Sequence, residues 1–224
     1  MVLVDTQVHK SELILVSGPS RGGKSRWAES LLAEDPCVIY IATGTKRDDD
    51  PAWVERLRIH RERRPSHWRL LEPGPDLTQS LKSIDATQSV LVDSLGGFVA
   101  ARLDLDSAAW TEYCEDLIVT LRHLTFKCVL VIEETGWGVV PSTQIGGLFR
   151  DRLGQLAQQL DQIADVSWLV LQGSISAGVI RRSSSISPSQ AKLWVQIKGR
   201  LVLAIRRWLP GVRRSSSMAL LSTR

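Results

Sequence analysis

The sequence predicts an α/β fold in which a mostly parallel sheet has helices on both faces. Along the first 173 residues, short apolar runs alternate with longer amphipathic stretches. A continuous apolar run is typical of a strand buried on both sides, as in a parallel sheet covered by helices. The regular alternation of strands and helices indicates a doubly wound arrangement. Because ligands of such folds bind at the carboxyl ends of the strands, we expect functional residues to follow the strand ends.

The individual elements follow from these runs in chain order. Strands are predicted at residues 13–16, 38–42, 90–92, 128–132 and 166–171, with a further short strand at 67–71. Helices are predicted at residues 25–34, 107–124 and 145–164, and apolar side chains recur at helical spacing in the first two. A charge-rich helix is predicted at residues 51–64, where Pro65 ends it.

The distribution of charge divides the chain into two predicted parts. The whole sequence has 28 Lys and Arg against 24 Asp and Glu, a net charge of +4. Residues 174–224 contain ten of the basic residues and none of the acidic ones, so residues 1–173 carry a net charge of −6. We predict a catalytic domain at 1–173 and a basic, Ser/Arg-rich extension at 174–224. Because the basic charge belongs to the extension, no nucleic-acid partner is predicted.

Two interpretations of the extension stay open. Residues 191–209 mix large apolar side chains with Lys and Arg, which is typical of a basic amphipathic helix lying on a membrane surface. The other interpretation is a solvated tail without a role. Loss of vesicle or nucleic-acid binding after truncation at residue 173 would favour the first.

Composition excludes several classes of protein. With 43% hydrophobic and 23% charged residues, the chain is expected to fold rather than to be disordered. No run approaches 18 apolar residues, so no transmembrane segment is predicted. The first ten residues lack the apolar core of a secretory signal. Cys37, Cys114 and Cys128 are scattered, which argues against a zinc site or disulfides and favours a cytoplasmic location.

The motif that decides the functional prediction lies between the first strand and the first helix. Its sequence, Gly-Pro-Ser-Arg-Gly-Gly-Lys-Ser, matches the phosphate-loop pattern GxxxxGKS. Glycines allow successive backbone N–H groups to point inward around phosphates. In such a loop Lys24 reaches the β- and γ-phosphates and Ser25 offers its hydroxyl to Mg²⁺. The sequence thus predicts a P-loop NTPase fold of the RecA-like type. The predicted nucleotide contacts in the loop are Gly18, Pro19, Ser20, Arg21, Gly22, Gly23, Lys24 and Ser25.

Two carboxylates follow other predicted strands. Asp93 ends the strand at 90–92, which is typical of an acid that holds Mg²⁺ beside a phosphate loop. A solvated residue opening a turn before Gly96-Gly97 is the alternative. Glu134 follows the strand at 128–132, where it could orient a nucleophile or equally serve as a turn residue.

His60 lies among five arginines in the charge-rich helix. Such a field suits a triphosphate. A neutral imidazole near a phosphate is also able to attack phosphorus and form a covalent intermediate. From the residues alone, a solvated helix histidine remains the alternative.

Taken in order, these residues resemble the adenosylcobinamide kinase/adenosylcobinamide-phosphate guanylyltransferase family of cobalamin biosynthesis. The resemblance covers roughly residues 12–173. Its marks are Leu13 to Glu29, Tyr40 to Thr43, His60, Arg64-Pro65, Trp68-Arg69, Glu72, Asp93, Glu134 to Pro141, and Phe149 to Asp151. The phosphate loop alone indicates only an NTPase, whereas all the marks in this order indicate the family.

The resemblance implies two reactions. A kinase reaction moves a γ-phosphate from ATP or GTP onto the aminopropanol hydroxyl of adenosylcobinamide. In a guanylyltransferase reaction, His60 attacks the α-phosphate of GTP, pyrophosphate leaves, and GMP passes to adenosylcobinamide phosphate to give adenosylcobinamide-GDP. The implied catalytic residues are His60 and Lys24, with Mg²⁺ held by Ser25 and Asp93, and the family also implies a homotrimer. The nucleotide contacts implied beyond the loop are Thr43, Gly44, Thr45, Arg61, Glu62, Arg63, Arg64, Glu72 and Asp93.

The chain departs from the family pattern in three places. Many relatives have Asn-Glu where this chain has Glu133-Glu134, and Asn-Gln where it has Ala157-Gln158. Relatives usually stop soon after the last strand, whereas this chain continues for 51 residues beyond Gly173. The alternative function is a P-loop small-molecule kinase or NTPase without guanylyl transfer.

Overall fold

The computed structural model describes residues 11–44, 49–72, 76–137 and 141–180. Within them the strands are β1 (Glu12–Gly18), β2 (Val38–Ile41), β3 (Arg69–Leu71), β4 (Ser89–Asp93), β5 (Lys127–Glu133), β6 (Val166–Leu171) and β7 (Ser174–Ile180). The helices are α1 (Lys24–Ser30), α2 (Pro51–Arg63), α3 (Leu77–Lys82), α4 (Leu95–Ala100), α5 (Ser107–Arg122) and α6 (Gln144–Ile163).

The seven strands form one sheet in the order β3-β2-β4-β5-β1-β6-β7. All neighbouring pairs are parallel except β6 and β7. The register aligns Gly18 with Glu133 and Asp93 with Val131, so the ends of β1, β4 and β5 lie at the same edge. This edge carries the residues that the sequence analysis singled out. Because β5 separates the phosphate-loop strand from the strand of Asp93, the order has the RecA-like form.

The main hydrophobic core lies between one face of the sheet and helices α3 to α6. It contains fully buried side chains of the strands and helices, among them Leu15, Val92, Leu130, Leu117 and Leu156. Helix α1 contacts β1 and β5 but contributes no residue to this core, so it covers the opposite face. Burial of the strands on both faces explains why their sequences are continuous apolar runs. The predicted α/β fold with helices on both faces is thus confirmed.

Helix α4 was not among the predicted elements, and a turn before Gly96-Gly97 was given only as the alternative to a metal-holding Asp93. The structure shows why glycine stands inside this helix. A Cβ on Gly97 would lie 2.4 Å from the carbonyl oxygen of Thr43, and one on Gly96 would lie 2.7 Å from a carboxylate oxygen of Glu133. Burial of Leu95, Phe98 and Val99 stabilises the helix in spite of the low helix propensity of glycine.

Three other differences from the sequence-based elements are local. Helix α1 ends at Ser30 rather than at residue 34. The short helix α3 begins at an Asp76 cap, whose carboxylate accepts a hydrogen bond from the backbone N–H of Gln79 at 2.9 Å. Strand β7 pairs antiparallel with β6 through a two-residue turn, in which Gln172 and Gly173 have φ of 52° and 75°.

The sheet therefore continues past the predicted domain end at residue 173, and the boundary itself stays a prediction. Residues 181–224 lie outside the described residues, so both interpretations of the basic extension stay open. Among the described residues, no helix is both long enough and apolar enough to cross a membrane.

Candidate active site

The loop between β1 and α1 has a conformation that only glycine supports at two positions. Gly18 has φ of +148°, and a Cβ there would lie 2.2 Å from the carbonyl oxygen of Val170. Gly23 has φ of +97°, and its Cβ would lie 2.7 Å from the Cα of Gly173. The loop is closed by a hydrogen bond from the N–H of Gly22 to the carbonyl of Pro19 at 3.0 Å. The glycines of the motif thus let the loop approach the β6–β7 turn closely.

We expect Gly18→Ala to lower the free energy of unfolding by about 2 kcal/mol or more, because the added Cβ collides with backbone. Gly154→Ala in α6 is the matched control, since nothing lies within 4 Å of a Cβ there. In the middle of a helix that change should raise stability by about 0.5–1 kcal/mol. Urea denaturation measures both, and a Gly18→Ala protein as stable as the parent would contradict the loop geometry.

The side chain of Lys24 lies folded over the loop. It is only 7% exposed, and its Nζ donates a hydrogen bond to the carbonyl of Pro19 at 2.9 Å. Glu134 is held beside the loop, because its backbone N–H donates to the carbonyl of Gly18 at 2.8 Å. Burial raises the pKa of Glu134, and the positive charge of Lys24 opposes this shift. A buried ammonium and a carboxylate therefore stand at the start of the loop.

Asp93 ends β4 at the same edge of the sheet and has two aromatic neighbours. The hydroxyl of Tyr40 donates a hydrogen bond to its Oδ2 at 2.7 Å. Nδ1 of His60 lies 3.7 Å from the same oxygen, with the histidine side chain 19% exposed and the aspartate 8%. Burial raises the pKa of Tyr40 well above its usual range, and the Asp93 charge adds to this effect. The imidazole is thus brought to the edge that carries the phosphate loop.

Replacing Tyr40 by Phe should lower the free energy of unfolding by about 1–3 kcal/mol, because a buried carboxylate oxygen loses its donor. The ring itself stays buried among the strand residues, so the loss reports the hydrogen bond rather than the packing. Chemical denaturation of the purified variant measures this difference. A change below about 0.5 kcal/mol would show that the Tyr40–Asp93 contact has no stabilising role.

The last turn of α2 and the residue after it make two further contacts near His60. The Arg63 guanidinium forms a bidentate ion pair with Glu29 of α1, with Nε–Oε2 and Nη2–Oε1 distances of 2.5 and 2.6 Å. The Arg64 guanidinium lies 4.3 Å from the centroid of the Tyr40 ring, in a cation–π contact. Burial raises the pKa of Glu29, and the hydrogen bond and charge of Arg63 counteract this shift.

Ligand-type atoms of three side chains lie close together at this edge. One ligand atom each of Glu29, His60 and Asp93 lie within 4.8 Å of one another. Oxygen donors such as the Asp93 carboxylate and the Ser25 hydroxyl are the ligands that Mg²⁺ prefers. These two residues therefore fit the predicted magnesium site in chemical type, and Ser25 is half-buried at the loop.

Comparison with known proteins adds the family. A family model described as cobinamide kinase / cobinamide phosphate guanyltransferase, CobU, matches residues 14–177. The chain belongs to the CobU family. The match covers the phosphate loop, His60 and Asp93, and it confirms the resemblance on which the sequence analysis relied.

Curated relatives agree with the CobU match. The bifunctional adenosylcobalamin biosynthesis protein CobU of Escherichia coli K12 is 35% identical over 176 residues, which cover 72% of this chain and 96% of that protein. The protein of the same name from Salmonella typhimurium LT2 is 36% identical, with the same coverage. The bifunctional protein CobP of Pseudomonas aeruginosa is 37% identical over 65% of this chain and 85% of its own length. A solved structure, the P4 protein from bacteriophage phi13, has 16% identity and a TM-score of 0.41 over 78% of this chain and 57% of that chain, too loose a likeness to carry an argument.

The other predicted site residues of this CobU family chain lie in varied surroundings. Thr43 is buried, and its hydroxyl donates to the carbonyl of Ser94. Glu62 forms an exposed ion pair with Arg58 on α2. The exposed predicted residues are Ser20, Arg21, Gly44, Arg61, Glu62 and Glu72. Thr45 lies outside the described residues. The structure thus joins Lys24, Glu29, His60 and Asp93 to one edge, while several predicted contacts are solvent-facing.

Three residues at this edge were not among the predicted site residues of the CobU chain. Glu29 and Tyr40 were quoted as family marks without a role, yet they contact Arg63 and Asp93. Glu133 accepts hydrogen bonds from the hydroxyl of Ser94 and, at 3.0 Å, from the backbone N–H of Gly96. The sequence does contain an indication that Tyr40 makes a polar contact, because it is the one hydroxyl-bearing side chain in the apolar run at 38–42.

Proposed function

We propose that this chain carries out both reactions of its family. It phosphorylates adenosylcobinamide on the aminopropanol hydroxyl. It then transfers GMP from GTP, through a histidine intermediate, to adenosylcobinamide phosphate, and so forms adenosylcobinamide-GDP. The observation that carries the proposal is the position of His60, whose Nδ1 lies 3.7 Å from Asp93 Oδ2 at the edge that also bears the phosphate loop. This position supports the covalent role of His60 over that of a solvated helix histidine.

In the kinase reaction, backbone N–H groups of the loop bind the triphosphate of ATP or GTP. The acceptor hydroxyl gives up its proton to solvent as its oxygen attacks the γ-phosphorus. The bond from that phosphorus to the β–γ bridging oxygen breaks, and a nucleoside diphosphate leaves. The buried ammonium of Lys24 neutralises charge that develops on the phosphates during this step. Mg²⁺, when bound at Ser25 and Asp93, would supply further neutralisation of phosphate charge.

In the transferase reaction, His60 acts as the nucleophile. Its Nδ1 edge faces Asp93, which orients the ring and favours the proton on Nδ1, so the lone pair of Nε2 is left to attack. A bond forms between Nε2 and the α-phosphorus of GTP, the α–β bridging bond breaks, and pyrophosphate leaves. A phosphate oxygen of adenosylcobinamide phosphate then attacks the same phosphorus and frees the imidazole.

The assembly and location of the chain belong to the same proposal. A homotrimer is expected from the family resemblance. A cytoplasmic location is expected from the cysteines, of which Cys114 and Cys128 are buried and none forms a disulfide among the described residues. Sedimentation analysis of the purified chain tests the assembly.

The proposal is tested by supplying adenosylcobinamide, ATP, GTP and Mg²⁺ to the purified full chain and following the corrinoid by mass spectrometry. We expect the mass of one added phosphate first and of one added GMP on that phosphate later. With ATP as the sole nucleotide, the reaction should stop at the phosphate. Phosphorylation without any GMP transfer would support the small-molecule kinase instead, and no reaction with the corrinoid would contradict both activities.

A further inference from the structure

The ion pair between Glu29 and Arg63 has no part in the chemistry proposed above. Glu29 lies on α1, the helix that begins with the phosphate-loop residue Lys24. Arg63 lies three residues after His60 on α2. Residues three apart on a helix share a face, so the guanidinium and the imidazole point from α2 toward the same side. The pair therefore joins the helix of the loop to the helix of the histidine.

The ion pair is largely removed from water. Glu29 is 8% exposed, and the two charged groups meet in a fork-to-fork geometry through two hydrogen bonds. Such bidentate pairs fix orientation as well as distance. The two guanidinium nitrogens that face Glu29 both donate to its carboxylate oxygens, and this carboxylate compensates the charge of Arg63 within the protein. Arg63, a predicted nucleotide contact, is thus engaged with a protein carboxylate.

Upstream of its last turn, α2 has apolar side chains that are exposed. Val54, Leu57 and Ile59 are 46%, 40% and 47% exposed, and the Arg58 ion pairs lie on the surface. Its last turn and the residue after it make polar and cation–π contacts with β2, β4 and α1. They are His60 with Asp93, Arg63 with Glu29 and Arg64 with Tyr40. These contacts join the turn that carries the imidazole to β2, β4 and α1.

We propose that Glu29 and Arg63 are positioning residues for guanylyl transfer, whose ion pair fixes the last turn of α2 on α1 and so sets where the His60 imidazole stands. This inference rests on the proposed function, because it concerns the nucleophile of that reaction. Nucleophilic attack needs the reacting atoms aligned at near-contact distance, and a misplacement of about 1 Å costs roughly a hundredfold in rate. The pair acts through His60 and touches no substrate.

The test uses the full chain and measures covalent labelling by α-labelled GTP with Mg²⁺ under single-turnover conditions. The variants are Glu29→Gln, Arg63→Ala and the double variant, and Glu29→Gln keeps the size and shape of its side chain. Glu55→Gln is the matched control, because it removes a carboxylate that pairs with Arg58 on the exposed side of the same helix. For each protein, the labelling rate at saturating GTP and the Kd for GTP are measured separately.

We expect each single variant to lower the saturated labelling rate by about tenfold or more, while the Kd for GTP changes by less than about threefold. The double variant should lose no more than the worse single variant, because the two residues act as one unit. Rates within about twofold of the Glu55→Gln control would overturn the proposal. So would a raised Kd in Arg63→Ala alone with an unchanged saturated rate, since that result makes Arg63 a nucleotide contact.

Two other causes of a negative result can be told apart from failure of this proposal. They are an unfolded variant and the absence of guanylyl transfer in the wild-type chain. If Arg63→Ala unfolds, the shape-conserving Glu29→Gln variant decides by the same criteria. If the wild-type chain takes up no label, the proposed guanylyl transfer is wrong. If the wild type is labelled and Glu29→Gln is labelled equally fast, the transfer stands and the positioning role is refuted.

Discussion

A Lys24→Ala variant is expected to lose both phosphoryl transfer and guanylyl transfer. The ammonium lies buried over the loop, so it acts in a site of low dielectric. Removing one group that stabilises transition-state charge in such a site typically costs about 10²–10³-fold in rate. We therefore expect a loss of at least that size in kcat/KM for nucleotide in both reactions. Steady-state assays with each nucleotide measure it.

Lys82→Ala is the control for this prediction. Lys82 also carries a positive charge and pairs with a carboxylate, Asp116, but both side chains are about half exposed and lie on α3 and α5. Its removal should leave both activities within about twofold of wild type, because an exposed ion pair contributes little. If Lys24→Ala retained activity comparable to Lys82→Ala, the loop would not be the triphosphate site.

A His60→Ala variant is expected to take up no GMP while it continues to phosphorylate its acceptor. The imidazole nitrogen forms the covalent bond only in the transferase reaction, so its removal eliminates that step rather than slowing it. The measurement is acid-labile, base-stable label from α-labelled GTP on the precipitated protein, alongside a phosphorylation assay on the same preparation. The variant should lose one activity and keep the other, because both reactions use the phosphate loop but only guanylyl transfer needs the imidazole.

His123→Ala is the matched histidine control. Its ring is exposed at the end of α5, where Nδ1 lies 2.7 Å from the carbonyl oxygen of Val119, and it is remote in sequence from the loop and from His60. Full labelling of this variant shows that the chemistry is specific for position 60. Persistent labelling of His60→Ala would identify a different nucleophile and leave His60 without a covalent role.

The parts of the fold and of the site that the sequence predicts are those that local patterns along the chain determine. Continuous apolar runs mark the strands, because both faces of the sheet are covered. The phosphate loop and Asp93 are recognisable because their position at strand ends is a local property. Helix α4 was missed because glycine is a poor helix former, and the need for Gly96-Gly97 there comes from Thr43 and Glu133, which are distant in sequence.

The contacts between side chains of the site could not be predicted from the sequence for the same reason. Glu29 and Arg63 are 34 residues apart, and Tyr40 and Asp93 are 53 apart. A single sequence contains no pattern that pairs such residues, since the sheet order and the placement of α2 decide which side chains meet. Arg63 is an example, because the structure pairs it with a carboxylate of its own chain, while its contact with the nucleotide stays a prediction.

The measurement that bears most directly on the central claim is peptide mapping of the wild-type chain after incubation with GTP and Mg²⁺. The account predicts one GMP per chain, attached through a phosphorus–nitrogen bond to the peptide that contains His60. It also predicts that the modification disappears when adenosylcobinamide phosphate is added. A GMP group on Lys24 or on another residue, or a chain that stays unmodified at saturating GTP, would contradict it.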